Sequence, residues 1–62
     1  MGTSILRLPE VIKLTGLSRS AIYDLIAKKL FPKQIKLTTR SSGWIKSEVE
    51  QWICDRIADR DA

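Results

Sequence analysis

Histidine is absent from these 62 residues, and cysteine occurs once, as Cys54. Without them the commonest general base is missing and no Cys/His spacing can build a zinc site. A single cysteine closes no internal disulfide, which fits a reducing compartment, and Cys54 is read as a half-buried helix residue. Catalytic, cofactor-binding and metal-ligating residues are therefore expected to be none, and the chain is not expected to be an enzyme. Aromatic rings are equally scarce: two Trp, one Tyr and one Phe. A domain this small buries only roughly 60% of the surface of its unfolded chain, so each large ring is needed as an anchor. The opening MGTSILRLPE lacks the apolar core of a secretory signal, and no apolar run is long enough to cross a bilayer. A cytoplasmic chain with no membrane partner is expected. No repeat or low-complexity linker divides it, so one unit is expected over residues 5–58, with frayed ends at 1–4 and 59–62.

Charge is present, and it is unevenly held. Residues 1–46 carry nine basic side chains against Glu10 and Asp24, a balance of +7, whereas residues 47–62 carry Arg56 and Arg60 against five acids, a balance of −3. A basic body with an acidic end segment points to a polyanion, and nucleic acid is the commonest polyanion for a small domain.

Local signals give the order of elements. Pro9 suits a first helical turn, with Glu10 beside it at the positive end of the helix dipole. Val11 and Ile12 turn inward, with Leu8 and Leu14 as further candidates, and Gly16 supplies a left-handed stop. Only Leu17 separates Gly16 from Ser18, a natural N-cap for the next helix. So tight a turn forces a sharp angle between the two helices. In the second helix Ala21, Ile22, Leu25 and Ile26 share one side, and Arg19, Ser20, Tyr23, Asp24, Ala27 and Lys28 share the other. Lys29 would rotate back toward the core, so this helix ends near Lys28. Leu30 and Phe31 are expected to plug the core before Pro32 blocks continuation.

From Gln34 the period changes to two. Ile35 and Leu37 alternate with Lys36 and Thr38, TRSSG interrupts, and WIK follows, which reads as a small β-hairpin with Arg40 near its tip. Gly43 is expected to provide turn freedom, and Trp44 to pack beneath the hairpin. Ser47 to Glu50 spells a capping box before a last helix. Val49, Trp52, Ile53 and Ile57 line its inner face, Arg56 lays its stem beside them, and the acids face outward.

The resulting fold class is mostly α with a small β-hairpin, in the order helix, turn, helix, hairpin, helix, which is a winged helix-turn-helix. On double-stranded DNA the second helix fits the major groove. It would present Ser18, Arg19, Ser20, Tyr23, Asp24 and Lys28. Arg19 leads as the specificity contact because its planar fork matches guanine O6 and N7. The hairpin would reach the adjacent backbone or minor groove with Lys36, Thr38, Arg40, Ser41 and Ser42. Asp24 is awkward there: phosphate repels it unless it accepts from a cytosine N4 or holds an Arg or Lys side chain in place.

The stretches LRLPEVIKLTGLSRSAIYDLI, FPKQIKL and GWIKSEVEQWI closely resemble the AlpA-like prophage regulators, excisionase-type winged helix-turn-helix proteins related to the MerR DNA-binding domain. The resemblance runs from about Leu6 to Ile57. It implies a bacterial, nucleoid-associated DNA-binding regulator acting in prophage transcription, or alternatively a recombination directionality factor, or an accessory factor that docks an integrase or the transcription machinery. By position it implies a reading helix from Ser18 to Lys28 and a wing from Ile35 to Ile45, with Arg40 as the wing arginine. Asp24 stands where many relatives carry a basic residue, and Ile45 where a polar one is common. A protein-docking role would use the acidic last helix or the Ile45 region. One short footprint per copy implies a monomer in solution, or several copies assembling cooperatively on adjacent DNA sites.

Overall fold

The computed structural model describes residues 4–62. In chain order it contains strand β1 (Ile5–Leu6), helix α1 (Leu8–Thr15), helix α2 (Arg19–Ala27), strands β2 (Ile35–Lys36) and β3 (Ser42–Ile45), and helix α3 (Lys46–Asp61). Three helices and a small antiparallel sheet give the expected winged helix-turn-helix. The sheet has one strand more than the hairpin. Its order is β1-β3-β2, with Ile5 opposite Ile45, Leu6 opposite Trp44, and Ile35 opposite Gly43. Of the ends expected to fray, residues 1–3 lie outside the described residues, and α3 runs through Asp61.

Helix α1 starts one residue before Pro9, at Leu8. The Glu10 carboxylate accepts from the Arg7 backbone N–H at 2.8 Å, and Pro9 occupies the first turn, where an N–H has no intrahelical partner to lose. Its end is set by Gly16, at φ 76°, whose N–H reaches the Ile12 carbonyl at 2.8 Å. Thr15 reinforces the corner: its hydroxyl donates to the Val11 carbonyl at 2.8 Å and accepts from the Leu17 N–H at 3.2 Å. Ser18 then caps α2 as expected, its Oγ accepting from the Ala21 N–H at 3.1 Å. Local chemistry alone therefore fixes where α2 leaves α1.

The far end of α2 falls where expected, with Lys28 as its C-cap. Lys29 escapes the inward turn that a continued helix would have given it. It is exposed and adopts φ 62°, the only non-glycine residue with positive φ among the described residues. The Leu30 N–H bonds the Leu25 carbonyl at 2.8 Å and the Lys29 N–H bonds the Ile26 carbonyl at 3.0 Å. This is a Schellman ending with lysine in the place glycine usually takes. Leu30 is not the expected plug: it is 57% exposed, while Phe31 is buried. The connector uses Phe31 as its inward side chain and offers Leu30 through its carbonyl, which accepts from Trp52 Nε1 at 2.8 Å.

The capping box at Ser47 does not form. Helix α3 begins at Lys46 with Ile45 as N-cap and no side-chain cap, which places Ser47 inside the first turn. The reason is the sheet. Strand β3 runs straight into the helix, and the Lys46 N–H that opens α3 is satisfied by the Ser4 carbonyl at 2.8 Å. The helix thus opens on a backbone acceptor, two residues before a Ser47 cap would have opened it.

Leu6, Val11, Ile22, Phe31, Trp44 and Val49 form the buried core, with Leu17, Leu25, Trp52 and Ile53 among the partly buried side chains against it. Trp44 lies beneath the wing as expected and donates from Nε1 to the Pro32 carbonyl at 3.1 Å. Phe31 meets Trp52 edge to face at 4.9 Å. Among the described residues, no buried side-chain nitrogen or oxygen lacks a hydrogen-bond partner. Three apolar or half-apolar expectations fail. Leu14 and Ile57 remain about half exposed, and both line a depression between the end of α1 and α3. Cys54 is exposed, on the outer side of α3. Arg56 behaves as expected, its guanidinium 5.4 Å from the Trp52 ring and bonded to Asp59 at 2.6 Å.

Candidate nucleic-acid interface

The exposed face of α2 carries every side chain expected on it. Arg19, Ser20, Tyr23, Asp24, Ala27 and Lys28 all face solvent, while Ile22 is fully buried. Ser18 sits at the N-terminal edge of this face. Its oxygen accepts from Ala21, so it acts first as a cap and retains its hydroxyl proton for another partner.

Two pairs organise the face. The Arg19 guanidinium lies 5.7 Å from the centroid of the Tyr23 ring, a cation-π arrangement that restricts a long side chain. Asp24 and Lys28 form an ion pair at 3.0 Å, one turn apart and with both side chains 61% exposed. Such a pair stabilises little. Its consequence here is charge balance: the carboxylate that looked awkward beside phosphate is neutralised by its neighbour.

The wing is closed by its own backbone. The Leu37 and Thr38 N–H groups both reach the Ser41 carbonyl, at 2.8 and 3.1 Å, and the Arg40 N–H bonds Thr38 Oγ1 at 3.2 Å. The threonine thus has a structural duty, and Arg40 is left at the tip. Lys36, Thr38, Arg40, Ser41 and Ser42 border a single depression together with Gln34 and Thr39. Lys36, Thr38 and Arg40 are exposed, whereas Ser41 and Ser42 are half-buried because Ser42 opens β3 opposite Lys36. Gln34 and Thr39 are absent from the sequence reading of this group. Thr39 was legible as the residue just before Arg40 at the hairpin tip; Gln34 carried no signal, since it precedes the strand.

Helix and wing are joined at their base. The Tyr23 ring meets the Trp44 indole edge to face, with centroids 6.4 Å apart and planes at 62°. Trp44 is a residue of β3, so the exposed helix face and the sheet that carries the wing share one aromatic contact.

A second surface lies along the connector and α3. A groove of about 780 Å³ is lined by Lys29 to Ile35 on one side and by Ile45, Glu48, Gln51, Trp52 and Asp55 on the other. Its apolar part includes exposed Leu30 and Ile35, and the α3 wall is acidic. No helix among the described residues is long and apolar enough to cross a membrane.

Comparison with known proteins agrees with the resemblance seen in the sequence. The chain is 53% identical to the uncharacterized protein ORF88 of Enterobacteria phage P4, over 89% of this chain and 62% of that protein, so it spans less than two thirds of that relative's length. It is 43% identical to the DNA-binding transcriptional activator AlpA of Escherichia coli (strain K12), over 84% of this chain and 83% of that protein. The family model described as prophage CP4-57 regulatory protein (AlpA) matches residues 4–57, and with so much of the chain covered, the protein belongs to the AlpA family of prophage regulatory proteins.

Proposed function

We propose that this chain is a sequence-specific double-stranded DNA-binding regulator of prophage transcription. Helix α2 enters the major groove and the wing holds the adjacent backbone or minor groove. The observation that carries this reading is an exposed Arg19-Ser20-Tyr23 face on the second helix of a tight helix-turn-helix, joined through the Tyr23–Trp44 contact to the strand that carries a wing with exposed Lys36 and Arg40. Membership of a family that includes a DNA-binding transcriptional activator supports it.

Arg19 reads a guanine and Arg40 grips phosphate, and the two roles predict different losses. In binding-site selection from a randomised duplex pool, the wild type enriches a motif. Arg19→Ala flattens that motif at one position, at a cost of about 1–3 kcal/mol on the preferred site, whereas Arg40→Ala weakens all duplexes evenly. An unchanged motif with Arg19→Ala removes Arg19 from the reading role. Footprinting on the element that encodes the chain separates regulator from recombination factor: protection upstream of a promoter means transcription control, and protection across an attachment site means excision.

The groove along α3 favours an added protein contact with an integrase or the transcription machinery. Its acidic wall, Glu48 and Asp55, forms no ion pair among the described residues, and a phosphate backbone would repel it. Reversing both charges, Glu48→Lys with Asp55→Lys, is expected to preserve or strengthen duplex affinity while abolishing activation of a reporter promoter. Full activation by that variant removes the groove from the mechanism.

A further inference from the structure

Tyr23 has two possible uses that its exposure alone does not separate: a hydroxyl offered to DNA, or a ring that holds something else. The geometry favours the ring. Its face lies 5.7 Å from the Arg19 guanidinium, and the ring meets the Trp44 indole edge to face with centroids 6.4 Å apart. Trp44 is 1% exposed and tied through Nε1 to the Pro32 carbonyl, so it is a fixed point. Tyr23 is 37% exposed, wedged between that fixed point and a solvent-facing arginine.

We propose that Tyr23 is a positioning residue whose ring, braced by the buried Trp44 at the root of the wing, pre-sets the Arg19 guanidinium for base reading. The inference rests on Arg19 as the reading residue and adds how its selectivity is set. An arginine free in solvent samples many rotamers, and ordering it on binding opposes affinity; stacking removes part of that freedom beforehand. An arginine held in one place also fits its preferred base better than the alternatives, so the gain falls on discrimination more than on total affinity. Because the brace belongs to β3, seating of the wing and aim of the arginine are mechanically linked.

The test uses the intact chain, with Tyr23→Phe and Tyr23→Leu set beside Arg19→Ala. Phenylalanine keeps the ring and loses the hydroxyl; leucine loses the ring. Each variant is put through the same selection from a randomised duplex pool, and its affinity for the wild-type motif is then compared with that for the motif changed at the Arg19 position. Tyr23→Phe should keep wild-type discrimination, and Tyr23→Leu should lose about threefold to fivefold of it. In the Arg19→Ala background, Tyr23→Leu should have no further effect on discrimination. In the free protein, the Arg19 side-chain protons should show an upfield ring-current shift in NMR spectra of wild type and Tyr23→Phe, and lose it in Tyr23→Leu. Thermal unfolding of all variants reports whether the fold is intact.

Equal relaxation by Tyr23→Phe and Tyr23→Leu would assign the effect to the hydroxyl and overturn the proposal. So would wild-type discrimination by Tyr23→Leu, or the absence of any ring-current shift in the wild type. If the wild type binds duplexes but enriches no motif, the specific-binding reading itself fails and this inference falls with it; that result is recognisable from the wild-type arm alone.

Discussion

Raising monovalent salt from about 50 to about 200 mM is expected to weaken duplex binding by roughly 500-fold. Setting aside Lys28, which Asp24 neutralises, Arg19, Lys29, Lys33, Lys36 and Arg40 are all exposed along α2, the connector and the wing. If these neutralise about five phosphates, the slope of log K against log salt is near −4.5, and a fourfold rise in salt gives that loss. The net charge of +4 is a poor guide to this number, because α3 carries the acids and the duplex does not meet it in the proposed pose. A titration by fluorescence anisotropy at several salt concentrations measures the slope. A flat response would mean that the basic side chains are only solvated surface, and the duplex-binding pose would fail with it.

Replacing Gly43 by even the smallest side chain is expected to produce a large loss of stability. A Cβ at this position would lie 2.5 Å from Ile5 Cγ2 and 2.9 Å from the Leu6 carbonyl oxygen. The first neighbour is the end of a stiff, β-branched side chain and the second is backbone, so neither yields without parting β1 from β3. Gly43→Ala should cost about 2–3 kcal/mol through overpacking, and Gly43→Val more. A domain of this length has only about 3–9 kcal/mol in total. At roughly 4–8 °C for each kcal/mol, the alanine variant should melt about 10–20 °C below the wild type in a circular-dichroism scan. A wild-type melting temperature would show that β1 is not held against β3 in solution. The turn role expected of Gly43 is therefore replaced by a packing role: it lies buried within β3 and needs no left-handed φ.

What the sequence revealed and what it concealed divide along a physical line. Gly16, Leu17 and Ser18 act on backbone groups within four residues of themselves, so the corner and the start of α2 could be read directly. The period of Ala21, Ile22, Leu25 and Ile26 then fixed which side chains point outward. Strand β1 was illegible because two residues carry no period; it exists only because β3 offers an edge, and that pairing spans forty residues of chain. The same pairing supplies the carbonyl that caps α3, which is why the Ser47 box misled. At Lys29 the helix wheel served: a lysine that a continued helix would turn inward marked the end of α2, although the left-handed residue that makes the ending was not legible. For the candidate site, the list of exposed residues was available from periodicity. The Tyr23–Trp44 contact was not, since it joins two elements whose mutual placement no local pattern encodes.

Both indole N–H groups in the chain end on carbonyls of one short connector, Trp52 on Leu30 and Trp44 on Pro32. The protein's intrinsic tryptophan fluorescence therefore reports on this one connector through two side chains. Any event that shifts this connector, whether a duplex seating the wing or a protein filling the groove beside α3, alters the surroundings of both emitters together. The unmodified chain carries its own optical gauge of such movement, with no label to attach.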